Sequence, residues 1–250
     1  MSVFVLRLLA MLTMLADHIA YTFLNGVPAL RTVGRFAFIV YCFLLAEGYL
    51  HVRNDPQRIR KHFLRLLILT ILGELAYDLA FFHIPTPTSQ SVMLPLLLGY
   101  VGMILADLLQ AQKVGRLAMG VYLSAAALTT YYVNTDYRFA GVLLIFAFFR
   151  YLQARNGFSF AKRFFILLAI LAVYLVIYNW ARFDFCSLAA LTVKTAPYLS
   201  WNLAVLFTAL PLALYNGKLG YSKKWFQALY VWFYPSHLLL IALLTLLLPA

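Results

Sequence analysis

The sequence predicts an all-α, polytopic membrane bundle. Three observations carry that prediction: extreme apolarity, a ladder of span-length apolar runs, and basic residues concentrated in every second connection. Of the 250 residues, 64% are hydrophobic and only 11% charged, with a mean hydropathy of +0.86. Soluble domains are roughly 25% charged, so a water-soluble fold is excluded. A net charge of +12 would point a soluble chain towards nucleic acid. Here Lys and Arg fall mainly in short loops between apolar runs, where they orient a membrane protein. The expected surroundings are the lipid bilayer, and no nucleic-acid partner is expected.

Apolar runs near the roughly 20 residues that a hydrocarbon layer demands occur at 3–24, 33–52, 62–82, 91–111, 115–133, 138–153, 163–181, 197–215 and 225–249. The first is too long for the core of a secretory signal and lacks a small-residue cleavage pattern, so it reads as a retained span. The sixth is short. Nine helices follow, or ten if 185–196 (FCSLAALTVKTA) forms a half-span or re-entrant piece that reverses the C-terminus.

The loops at 53–61 (Arg53, Arg58, Arg60, Lys61), 112–116 (Lys113, Arg116), 150–163 (Arg150, Arg155, Lys162, Arg163) and 216–224 (Lys218, Lys223, Lys224) hold thirteen basic residues. The alternate loops hold four: Arg31, Arg138, Arg182 and Lys194. That alternation puts the N-terminus and the rich loops in the cytoplasm and favours nine spans over ten. Pro85 and Pro87 mark an outer turn, while Asn54-Asp55-Pro56 and Asn156-Gly157 mark inner ones. With no internal repeat and no long loop, residues 1–250 read as a single membrane domain. Cys42 and Cys186 provide neither a disulfide framework nor a spaced metal motif.

Ionisable residues inside the runs are the functional signal, because a charge in hydrocarbon costs roughly 2.5–3.5 kcal/mol on insertion scales. The first run carries Arg7, Asp17 and His18. In one helix Arg7 and His18 share a face, roughly 16 Å apart along the axis. Levelling antiparallel neighbours by depth yields two polar layers. The inner one holds Arg7, Glu47 and Arg65. The outer one holds Asp17, His18, Arg35 and Asp78, with Glu74 one turn from Asp78 and His237 joining from the last helix beside Tyr234 and Pro235. Each has a bland alternative: Arg65 as an interfacial anchor, Arg7–Glu47 and Arg35–Asp78 as ion pairs fixing register, His237 as a hydrogen-bonded core histidine.

Several strings, in order, carry a resemblance: LAMLTMLADHIAYTF, GRFAFIVYCFLLAEGYLHVRN, RLLILTILGELAYDLAF, MLPLLLGYVGM, TDYRFAGVLLI, LYNGK and FYPSHLLLI. Together they resemble the TraX family, whose founding member acetylates the N-terminus of F pilin. That family in turn resembles a wider set of integral-membrane acyltransferases with an Arg, ten residues, then a His in the first helix. The resemblance implies a catalytic role for His18 with Arg7 important nearby, and a place in the bacterial cytoplasmic membrane. Ser91-Val92-Met93-Leu94-Pro95 departs from the fourth-helix string expected of that set.

The expected activity is acetyl transfer from cytoplasmic acetyl-CoA to an amine or hydroxyl on a protein, glycan or lipid. Arg7, Arg65, Arg58, Arg60 and Lys61 suit the CoA phosphates, which guanidinium forks bind by charge-assisted pairs. His18 serves as general base or transient acetyl carrier. Asp78 or Glu74 is expected to receive its imidazole N–H, and Arg35 to pair Asp17 and stabilise the thioester oxyanion. Glu47, Tyr234 and His237 are the expected acceptor-side residues. A proton-coupled transporter uses similar buried groups, although no repeat or paired broken helices accompany them here. A scaffold without chemistry would spend stability on polar layers to no end.

Overall fold

The computed structural model describes residues 1–24, 27–86, 89–109, 115–182 and 203–247. Among these, the regular elements are all helical: α1 (Val3–Phe23), α2 (Pro28–Val52), α3 (Pro56–Phe81), α4 (Met93–Leu109), α5 (Gly115–Tyr132), α6 (Arg138–Ala154), α7 (Phe160–Arg182), a 3₁₀ segment (Ala204–Thr208) running into α8 (Ala209–Ala213), and α9 (Lys224–Leu247). Val3–Phe23, Ala29–Val52, Phe160–Trp180 and Lys224–Leu247 are long and apolar enough to cross a membrane, while Met93–Leu109 and Ala204–Ala213 are apolar but shorter. The surface fits that setting. Leu12, Ile71, Val176 and Leu246 are all more than half exposed, which water would penalise and lipid would not.

Three expected runs change. The second helix starts at Pro28, not at 33, with the proline in its first turn. The third helix starts at Pro56, not at 62, because Asp55 accepts hydrogen bonds from the Gln57 and Arg58 N–H groups, both at 3.1 Å. A capping carboxylate followed by proline at the first helical position is a strong start signal. Arg58, Arg60 and Lys61 therefore project from the opening turns of α3 and not from a loop. The run expected at 197–215 becomes, in its described part, the 3₁₀ segment and the short α8. The segment 185–196 lies outside the described residues, as does Cys186, whereas Cys42 is buried and unbridged.

The basic connections gather at one end of the bundle. The N–H groups that open α1 are satisfied by the loop before α9, Val3 N–H to the Lys218 carbonyl at 2.9 Å and Phe4 N–H to that of Leu219 at 3.1 Å. Tyr49 on α2 and Arg53 just past its end both donate to Asp107 on α4 at 2.8 Å, and Arg155 lies 4.8 Å over the Tyr215 ring. Gly157 takes φ +84° in the turn between α6 and α7, a conformation open to glycine at little cost. At the opposite end, Gln90 N–H bonds the Asn134 carbonyl at 3.2 Å and Asp136 N–H bonds that of Gln90 at 3.1 Å.

Consecutive helices are not always neighbours. α2 packs on α1, α6, α4 and the 3₁₀ segment, whereas α3 packs chiefly on α9 and α4 and touches α2 only slightly. Arg35 level with Asp78 and Glu47 level with Arg65 would require α2 and α3 to pack closely as a hairpin, which they do not. The last helix in the chain takes most of that contact instead. Polar side chains of α1, α2, α3 and α9 consequently face a shared interior.

Candidate active site

Two cavities lie end to end between α1, α2, α3, α4 and α9. The first, about 260 Å³, is lined by Asp17, His18, Tyr21, Arg31, Arg35, Tyr77, Asp136 and Tyr137, among others. The second, about 180 Å³, lies towards the basic end and is lined by Arg7, His62, Arg65, Tyr49, Tyr100 and Tyr230 among others. Tyr41, Met93, Leu96 and Tyr234 line both, so these four side chains form the wall between them. Beyond the second cavity a shallow groove carries Gln57, Arg60, Lys61 and Arg65 with Trp232. Arg65 belongs to both.

α1 brings Arg7 to the second cavity and His18 to the first. On α2 a stripe of three- and four-residue steps faces the same interior: Arg31, Gly34, Arg35, Phe38 and Tyr41 at the first cavity, then Tyr41, Leu45 and Gly48 at the second. The absence of a side chain at Gly34 lets α1 approach, since a Cβ there would lie 2.1 Å from that of Asp17. Only glycine fits that contact without displacement.

His18 Nδ1 lies 2.7 Å from His237 Nε2, the two rings 2° from parallel. His237 Nδ1 in turn lies 2.6 Å from the Phe233 carbonyl oxygen. Phe81 packs edge-on to His18 at 5.5 Å, and Phe233 stacks on His237 at 4.7 Å. The expectation that Asp78 or Glu74 receives the His18 N–H is corrected here. The buried Asp78 carboxylate accepts the Thr86 N–H at 3.1 Å, and Glu74 accepts the Ser91 N–H at 3.0 Å. Thr86 and Ser91 lie between α3 and α4, where backbone donors left over from the helices need acceptors.

Asp17 forms its ion pair with Arg31 at 3.0 Å, one turn before the expected Arg35. Arg31 also lies 4.8 Å over the Tyr21 ring. Arg35 remains near Asp17 and sits against Tyr137. Arg7 does not meet Glu47: its guanidinium lies 4.5 Å over the Tyr230 ring, and its buried Nε has no hydrogen-bond partner. Glu47 turns to the other side of α2, where it accepts a hydrogen bond from the Tyr215 hydroxyl and lies 3.3 Å from His51 Nδ1. It lines neither cavity. Arg58 pairs with Asp55 at 3.1 Å and lines none of the three spaces, whereas Arg60, Lys61 and Arg65 do.

Sequence reasoning passed over Tyr41, Tyr230, Arg31 and Tyr137. The helical period of the stripe on α2 is present in the sequence, but Arg31 reads there as a loop cation and nothing singles out Tyr41. Tyr41 leaves its buried hydroxyl without a partner at the wall between the cavities.

Over 81 residues, 31% of this chain and 32% of the relative, the chain is 35% identical to a probable fimbrial assembly protein, FimC of serogroup H1, from Dichelobacter nodosus. The match thus spans about a third of that relative's length. No solved structure matches. The family model described as TraX protein matches residues 2–245, a range that takes in the helices around both cavities but for the last two residues of α9, and the chain accordingly belongs to the TraX family.

Proposed function

We propose that this protein is an integral-membrane acetyltransferase that takes the acetyl group of cytoplasmic acetyl-CoA and passes it to an amine or hydroxyl acceptor held at or across the bacterial inner membrane. Family membership supports this reading, as does partial similarity to a protein described as acting in fimbrial assembly; a pilus-related acceptor fits both. In this reading the chain forms one membrane domain of nine spans with its N-terminus and basic loops cytoplasmic.

The observation that carries the proposal is the pair of cavities sharing one wall, the cationic space of Arg7 and Arg65 on one side and the His18 space on the other. CoA phosphates bind at Arg60, Lys61 and Arg65, whose donors match phosphate oxygens. The pantetheine arm passes Arg7 and the Tyr41–Tyr234 wall, covering the roughly 16 Å of helix rise between Arg7 and His18. At the far end His18 removes the acceptor proton as general base. Arg35, held near Asp17 and Tyr137, stabilises the oxyanion that develops on the thioester carbonyl.

Titrating CoA into the purified protein by calorimetry tests the donor half of this reading. Saturable heat is expected. Silence across the concentration range would favour the transporter, for which CoA is not a ligand.

A further inference from the structure

The short contact between two histidines from opposite ends of the chain fixes more than their positions. A carbonyl oxygen only accepts, so the 2.6 Å contact to the Phe233 carbonyl requires that His237 carry its hydrogen on Nδ1. A neutral imidazole has one N–H and one lone pair, which leaves His237 Nε2 as an acceptor. The partner at 2.7 Å, His18 Nδ1, must then be the donor. By the same rule His18 Nε2 holds a lone pair, and the ring lines the first cavity.

We infer that His237 is the positioning residue of this site: with the Phe233 carbonyl behind it, it holds His18 in the tautomer whose Nε2 is a base. The inference rests on the transferase reading. In the reaction the acceptor N–H or O–H gives its proton to His18 Nε2 as the acceptor atom attacks the thioester carbon. The C–S bond then breaks, the sulfur takes the proton from His18 Nε2, and free CoA leaves. Between those events His18 is an imidazolium. Its Nδ1–H bond to the neutral His237 becomes charge-assisted and stronger, and the Phe233 carbonyl dipole points its negative end along the same line. A carboxylate plays this part in serine hydrolases; a neutral imidazole backed by a carbonyl does so here without placing another charge in the membrane. The parallel rings and the flanking Phe81 and Phe233 fix the angle.

The test compares two variants of His237 and His18→Ala by three readouts: turnover with acetyl-CoA, CoA binding, and side-chain nitrogen NMR of His18. His237→Leu keeps the bulk and removes both hydrogen bonds, and kcat should fall on the order of 10²-fold or more with KM for acetyl-CoA unchanged. His237→Gln can accept through its oxygen and donate to Phe233 through its amide, and should restore most of the loss. In the wild type, NMR should show His18 protonated at Nδ1, a signature independent of activity. Wild-type turnover in a folded His237→Leu protein, or a wild-type His18 protonated at Nε2, would overturn the assignment. If His237→Leu does not fold, the glutamine variant and the wild-type spectrum decide. Loss of turnover in His18→Ala alongside an unaffected His237→Leu sinks the dyad alone. Unchanged turnover in His18→Ala sinks the transferase mechanism with it.

Discussion

Replacing His18 with alanine is expected to lower acetyl transfer by about 10²–10⁴-fold, the range that a positioned general base contributes, while CoA binding persists. The separation of effects follows from the geometry. His18 lines the first cavity, and the cationic residues expected to hold the donor line the second and the groove beyond it. The comparison is made on purified protein with acetyl-CoA turnover and CoA calorimetry side by side. Retained turnover in folded His18→Ala protein would remove His18 from the mechanism.

Arg7→Ala and Arg65→Ala are each expected to raise KM for acetyl-CoA roughly ten- to a hundredfold, with kcat little changed. A hydrogen bond to a charged group contributes about 1.5–3 kcal/mol, and uniform binding energy lost from a remote part of the donor appears in KM. The two guanidiniums line the same cavity, and like charges sharing a site disfavour each other, so removing either eases the other. The double variant should lose less than the product of the single effects. Arg58→Ala provides the contrast. Arg58 is spent on an exposed pair with Asp55 at 3.1 Å, and its removal should leave KM near the wild-type value. Steady-state kinetics over a range of acetyl-CoA concentrations distinguishes these outcomes.

The parts of the fold that depend on local chemistry were legible in the sequence. The all-helical class followed from composition, and the shared interior of Arg7 and His18 followed from an eleven-residue step on one helix. The capping of α3 by Asp55 was also legible in principle, since an Asp-Pro pair before a cationic run is a start signal; reading those cations as loop residues concealed it. Other features were beyond reach because they depend on contacts distant in sequence. Nothing in the α2 and α3 runs indicates that α9 takes most of the contact expected between them. Glu47 meets Tyr215 across 168 residues. Glu74 and Asp78 looked like partners for an imidazole, yet the nearby turn supplies a backbone N–H donor to one oxygen of each, and such a contact leaves no mark in a residue pattern. The His18–His237 contact spans 219 positions and brings together two groups that the sequence assigned to one layer without pairing them.

With Arg7 and Arg65 in the cavity at the basic end and His18 in the adjoining one, the proposed reaction should be sided. Purified protein is sealed into vesicles of defined orientation, acetyl-CoA is supplied to one face only, and acetylation of an amine or hydroxyl acceptor present on both faces is followed. Transfer is expected only when acetyl-CoA reaches the face that carries the N-terminus and the 216–224 loop. Equal transfer from either face, or transfer only from the opposite face, would contradict a passage that begins at Arg65 and ends at His18.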